Sequence, residues 1–339
     1  MDSNVANANG VANKIEIIKE QKKLKYAKTG LLYGALSGAF WGLDGVLLGV
    51  ALALVPFTDS NYAVYVAPLV GACMHDGFAA FWLFLYNLFT GRARELLRSV
   101  STKPGMIVCL AALFGGPLAM SGYLMGIQFA GSAYTMSITA MYPALGTIFA
   151  MIFLKERVSV RAWAGIVTCI IGSLIVGYTP PSGDAYPHFY LGIAFALIPT
   201  LGWALEGVIS TYVMDLLDPA VAINIRQGTS FVVYFFAIMP LIAGFVLFKD
   251  AFIVKSGTVL LVTALSGSIS YLFWYRAMNM TGVGRAMTLN ITYALWSIVF
   301  GVFITDLKLN AYLITGAVVI TVGALLVVAN PKELLNLRK

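Results

Sequence analysis

Charge is scarce in this chain. Only 11% of its 339 residues are Asp, Glu, Lys or Arg, where a soluble domain carries about 25%. The sequence has two histidines and three cysteines. Cys73, Cys109 and Cys169 all fall in apolar runs, so they read as small core residues and not as a disulfide framework or a metal site. No phosphate-binding glycine loop, nucleophile elbow or zinc spacing is present, and Gly282-x-Gly284 is too short a pattern to bind a nucleotide. These absences leave no catalytic set, no metal and no cofactor to expect. The alternating short segments of a membrane β-barrel are missing too.

Apolar sequence takes their place. The chain is 60% hydrophobic with a mean hydropathy of +0.85. A helix needs about 20 apolar residues to cross a bilayer. Ten runs fit: 29–55, 62–90, 106–128, 132–154, 160–178, 190–213, 220–247, 258–278, 284–305 and 309–330. The expected fold is an all-α integral membrane protein of ten transmembrane helices. Residues 1–28 read as a polar tail with six lysines, and 331–339 as a second tail. No cleavable signal is expected, because the charged region is long and no small-residue cleavage site follows.

The net charge of +7 does not mark a nucleic-acid partner, because the positive charges sort by side of the membrane. With the N-terminus inside, eighteen Lys and Arg fall on the inner side, against Lys249, Lys255 and Lys308 outside. That bias places both termini in the cytoplasm.

The chain also repeats itself. A shift of 151 residues lays Gly116 on Gly267, Gly131 on Gly282, Tyr142 on Tyr293, Gly165 on Gly316 and Gly172 on Gly323. It lays His75-Asp76-Gly77 on Arg226-Gln227-Gly228. The expected halves are 29–178 and 190–330, joined by a turn-rich external link at 179–189. Five spans per half is odd, so the copies insert with opposite topology. Inverted repeats of this kind place a binding site near the midplane between them.

The stretch Gly202-Trp203-Ala204-Leu205-Glu206-Gly207 has a near copy in Phe40-Trp41-Gly42-Leu43-Asp44-Gly45. Each puts an indole and an acid on one helical face, three residues apart. Charges inside spans cost about 2.5–3.5 kcal/mol on insertion scales and mark function by default. Asp44, Asp76, Glu206 and Arg226 are such charges. Asp44 and Glu206 are expected to face each other across the pseudo-axis. Arg226 has two readings, a structural partner for an acid or a coupling residue. His75 also has two, a proton relay or a packing histidine. Adjacent on a helix, His75 and Asp76 should diverge by about 100° and not bond to each other.

Aromatic residues cluster by the same helical spacing. Tyr271, Trp274 and Tyr275 share one face, as do Asn290 and Tyr293. With Trp41, Trp203 and Glu206 they outline an aromatic cage with one carboxylate. Such a cage suits a quaternary ammonium ion, which offers no hydrogen-bond donor and is held by ring faces and an anion.

These stretches resemble a known family. Tyr142-Pro143-Ala144 to Leu154-Lys155-Glu156, followed by Gly165 and Gly172, is similar to the EamA-type repeat of the drug/metabolite transporter superfamily. Ala294 stands where the second repeat should carry proline. Phe40-Trp41-Gly42, His75-Asp76, Gly116-Pro117, Ile225-Arg226-Gln227 and Leu289-Asn290-Ile291-Thr292-Tyr293 resemble bacterial choline permeases of the LicB type. The resemblance implies a proton-coupled, alternating-access importer of choline or a related cation in the bacterial cytoplasmic membrane, as a monomer or homodimer. Trp41, Trp203, Glu206, Tyr271, Trp274, Asn290 and Tyr293 would bind substrate. Asp44, His75, Asp76 and Arg226 would serve coupling or gating. Asp44 departs from that family. An exporter of amino acids, metabolites or drugs on the same fold is the alternative.

Overall fold

A computed structural model describes residues 2–59, 65–130, 135, 138–176, 178 and 188–327, with side chains from residue 17 onward. Among the described residues every regular element is helical and no strand occurs. The elements are α1 (Asp2–Leu52), α2 (Val66–Phe89), α3 (Ala93–Ser99), α4 (Lys103–Leu113), α5 (Ala119–Ala130), α6 (Tyr142–Phe149) and α7 (Val160–Val176). They continue as α8 (Phe189–Val213), α9 (Pro219–Val233), α10 (Phe245–Ile253), α11 (Lys255–Thr281), α12 (Val283–Asn290), α13 (Tyr293–Ile304) and α14 (Ala311–Val327). Seven stretches are long and apolar enough to cross a membrane: Ile17–Leu52, Val66–Phe89, Lys103–Gly126, Phe189–Val213, Pro219–Leu241, Lys255–Thr281 and Val283–Ile304. Three shorter apolar helices accompany them, Tyr142–Leu154, Val160–Val176 and Ala311–Val327.

The polar N-terminal segment is helical. It is one continuous helix with the first apolar run, Asp2–Leu52. Residues 11–28 are rich in Lys and lack proline and glycine, so nothing in them stops a helix. Its lower part is anchored where Ala27 and Leu31 pack on Leu289. The link at 179–187 lies outside the described residues.

Helix starts follow local chemistry. Thr102 accepts the Gly105 amide at 3.3 Å ahead of α4, with Pro104 in its first turn. Asp218 accepts the Ala220 amide at 2.8 Å ahead of α9, which opens on Pro219. Wide π-helical turns interrupt the helices at Phe114–Leu118, Ala150–Leu154 and Tyr234–Ile238. The first contains Pro117, which cannot donate to the helical ladder. In the second half the chain breaks between α12 and α13 at Ile291–Thr292 although Ala294 replaces the proline. There Thr292 donates twice to the Leu289 carbonyl, from Oγ1 at 2.7 Å and from its amide at 3.3 Å.

The packing centres on α1 and α11, which lie against each other, with α2, α9, α12 and α13 around them. At the periphery α7 packs on α14 through glycines. A methyl added at Gly165 would lie 2.8 Å from the Gly323 carbonyl oxygen, and one at Gly172 would lie 3.0 Å from that of Gly316. The backbones there touch, as small residues allow in membranes.

Candidate functional site

One cavity gathers most of the aromatic residues singled out above. Trp41, Tyr142, Trp203, Ser270, Tyr271, Trp274, Asn290 and Tyr293 line it. Its volume is about 30 Å³, room for about one water molecule and well below an open small-molecule site, so the rings are closed on one another. The helical registers explain the convergence: α1 supplies Trp41, α8 Trp203, and α11 presents Ser270, Tyr271 and Trp274 from one turn. The broken helix α12–α13 supplies Asn290 and Tyr293 on either side of its break.

The rings brace one another. Trp41 meets Trp203 edge-on at 6.3 Å and Tyr271 at 5.1 Å between centroids. Trp203 also meets Tyr123 at 5.3 Å and Tyr142 at 6.0 Å. Its indole N–H donates to the Gly115 carbonyl at 3.1 Å, which fixes the ring plane. Tyr142 and Ser270 were not picked out as binding residues. Tyr142 was findable, because it stands in the 151-residue register with Tyr293.

The polar groups on the wall are mostly committed. Asn290 Oδ1 accepts from the Tyr142 hydroxyl at 2.7 Å, and its Nδ2 donates to Ser37 Oγ at 3.0 Å. Tyr293 and Thr139 hydroxyls lie 3.3 Å apart. Trp274 differs: its indole N–H is buried and meets no acceptor among the described residues.

Glu206 is not on the cavity wall, and it is not a free anion. Its carboxylate takes two bonds from Arg226, at 2.8 Å from Nε and 3.1 Å from Nη2. The Tyr275 hydroxyl adds a third at 2.9 Å. The expectation of an unneutralised acid failed because the base sits on another helix, α9, beyond the reach of a single-helix reading. Asp44 and Glu206 do not pair across the axis either. Each faces a base instead: Asp44 Oδ1 lies 2.9 Å from His75 Nε2. Asp44 matches Glu206 and His75 matches Arg226, so the two pairs are repeat-related.

Asp76 joins the pairs. Its Oδ1 lies 3.4 Å from His75 Nδ1, so the neighbouring side chains do come together, over a long contact. Its Oδ2 accepts from Ser230 Oγ and lies 3.8 Å from Arg226 Nη1. Arg226 Nη1 also donates to Gln227 Oε1. All five residues from Asp44 to Glu206 in this line are at most 1% exposed.

Glycine makes the line possible. A methyl at Gly115 would run into the Glu206 carboxylate, and one at Gly267 would lie 2.7 Å from Asp44 Oδ1 and 2.9 Å from His75 Nε2. Tyr271 is the wall between cavity and charges. Its ring meets Trp41 at 5.1 Å and His75 at 6.5 Å, and the Arg226 guanidinium sits 5.3 Å from its centroid.

Two further features involve the same helices. Gly45, Leu48, Ala53, Ser297, Gly301 and Leu307 frame a second cavity of about 420 Å³, with Tyr123 also in its lining. Glu156 accepts the Val283 amide with both oxygens, at 3.1 and 3.2 Å, capping α12.

A multi-pass helical membrane protein with a buried ring-lined cavity is the form of a small-molecule transporter. The chain belongs to the EamA-like transporter family, whose model matches residues 28–178 and 190–329. It is similar to protein LicB of Haemophilus influenzae, at 26% identity over 282 residues, 80% of this chain and 88% of that protein. A solved crystal structure superposes with a TM-score of 0.65 at 15% identity, over 91% of this chain and 97% of the other, and so shares the fold.

Proposed function

We propose that this chain imports choline or a related quaternary ammonium metabolite across the bacterial cytoplasmic membrane by alternating access, coupled to protons. The observation that carries the proposal is the cavity wall: six aromatic side chains, no carboxylate and one unspent donor. A methylated ammonium is held by ring faces, each worth about 0.5–1 kcal/mol when exposed and about 2 or more when desolvated. A hydroxyl on the same molecule can accept from the Trp274 indole, whose N–H has no acceptor of its own. Asn290 and Tyr293 keep capacity for a second bond to that hydroxyl. The likeness to bacterial choline permeases supports the same substrate class.

On this reading the chain has ten spans in two inverted five-helix repeats, with both termini cytoplasmic. The second cavity, framed by Gly45 and Leu307, then faces outward, and Tyr123 separates it from the cage. Glu156 then caps α12 at the cytoplasmic end.

The test is a binding panel on purified protein with choline, betaine, carnitine and amino acids. Selective stabilisation by choline supports the reading. Stabilisation by amino acids alone gives the site to the exporter alternative.

A further inference from the structure

We propose that the coupling proton resides on the triad Asp44–His75–Asp76, and that Glu206–Arg226 is its fixed, non-titrating counterpart. This rests on the cation-transport reading above, and deepens it. The argument is one of hydrogen-bond valence. Asp44 Oδ1 lies 2.9 Å from one ring nitrogen of His75, and Asp76 Oδ1 lies 3.4 Å from the other. A neutral imidazole has a single N–H, and an ionised carboxylate can only accept. Two carboxylates and a neutral imidazole therefore cannot satisfy both contacts. One further proton completes them, on the ring or on an acid. The triad has a place for a proton that can come and go.

The repeat-related pair has none. The Glu206 carboxylate is filled by Arg226 Nε, Arg226 Nη2 and the Tyr275 hydroxyl. Arginine does not release its proton in proteins. One ancestral arrangement thus carries histidine in one half and arginine in the other, and only the histidine side can exchange a proton.

The ionisable groups around the triad are few. Arg226 faces Asp76 from α9 at 3.8 Å, with Gln227 and Ser230 beside it. Tyr271 faces His75 from α11, Tyr123 faces Asp44 from α5, Cys73 and Tyr234 lie near Asp76, and Glu206 stands behind Arg226. None of the described residues around it is exposed to solvent, so the proton must enter and leave with a conformational step. Tyr271 connects that step to the cage, since the same ring touches Trp41 and His75. A cation seated on Tyr271 bears directly on the triad's charge.

The experiment adds choline chloride at saturation to the purified wild type, His75→Gln and Asp44→Asn in weakly buffered solution. It counts the protons taken up or released. The wild type should exchange about one proton per chain, and both variants, while still binding choline, should exchange none. Reconstituted variants should lose pH-gradient-driven transport and keep choline exchange between equal pools. Uptake of the proton marks symport and release marks exchange, and either sign supports the site. Variants that bind choline and exchange the proton as the wild type does overturn it.

If the wild type binds no choline, the functional reading falls, and the triad is tested alone. The chain has two histidines, His75 and His188, so the His75 nitrogen resonances are assigned by their loss in His75→Gln. A doubly protonated ring, or one that changes state between about pH 5 and pH 9, supports the triad. A neutral ring that stays unchanged across that range, with the Asp44 and Asp76 carboxyl carbons reading as ionised throughout it, overturns it.

Discussion

Replacing Trp41 or Trp203 by leucine separates ring chemistry from apolar bulk. On the ligand side, each substitution removes one quadrupole facing the ammonium. The expected loss is about 1–2 kcal/mol, a rise of roughly 5- to 30-fold in the choline dissociation constant. On the protein side the two differ. Trp41 contributes two ring contacts, at 5.1 and 6.3 Å. Trp203 contributes three and a hydrogen bond to Gly115. With about 0.5–1.5 kcal/mol per aromatic pair and about 1 kcal/mol for the bond, Trp203→Leu should destabilise the fold more than Trp41→Leu. Leucine is at home in a span, yet it cannot restore the donor to Gly115. The assay is isothermal titration of choline and of its neutral isostere, 3,3-dimethylbutanol, beside thermal unfolding of each variant. The isostere should bind the wild type poorly. Equal affinity for choline and the isostere would refute the reasoning, because the pocket would then be reading shape and not charge.

Other outcomes follow from the same geometry. Glu206→Gln should cost about 3–5 kcal/mol of stability, since it leaves the Arg226 charge buried with a weaker partner; an unfolding temperature unchanged from wild type contradicts the pair. Gly267→Ala should abolish proton-linked transport, because the methyl would crowd Asp44 and His75; normal coupling in reconstituted vesicles speaks against that fit. Glu156→Gln should loosen the α12 cap by about 0.3–1 kcal/mol, shifting the conformational balance roughly two- to fivefold toward the cytoplasmic-open form, read by thiol labelling from the inside. Reporter fusions at Arg94 and Arg161 should read cytoplasmic and one at Lys255 external; the reverse pattern breaks the ten-span topology.

Much of this site was legible because helical spacing is local. Trp41 and Asp44, or Trp203 and Glu206, share a face by their positions alone. The aromatic stripe of α11 reads from i, i+3 and i+4. The pairing of charges was not legible, because it runs between helices. Nothing within a helical turn of Glu206 announces Arg226, and nothing beside Asp44 announces His75. The repeat contained the clue, since His75 matches Arg226 in the 151-residue register and the Trp-x-x-acid copies match Asp44 with Glu206. The helical state of the N-terminal segment was hidden by its polarity, which marks exposure and not irregular structure. The break at Ile291–Thr292 was hidden because its expected proline is alanine.

The glycine contact between α7 and α14 has a symmetry of its own. Gly165 lies against Val327 and Gly316 against Val176, while Gly172 lies against Ile320 and Gly323 against Cys169. Adding 151 to each first-half residue exchanges the members of these contacts. That reciprocity defines an isologous, two-fold interface, the kind that joins identical subunits. The seam inside this single chain is therefore built like the seam of a homodimer. A half-length ancestor with one such helix would present both sides of it, and could close upon an inverted copy of itself without any new contact.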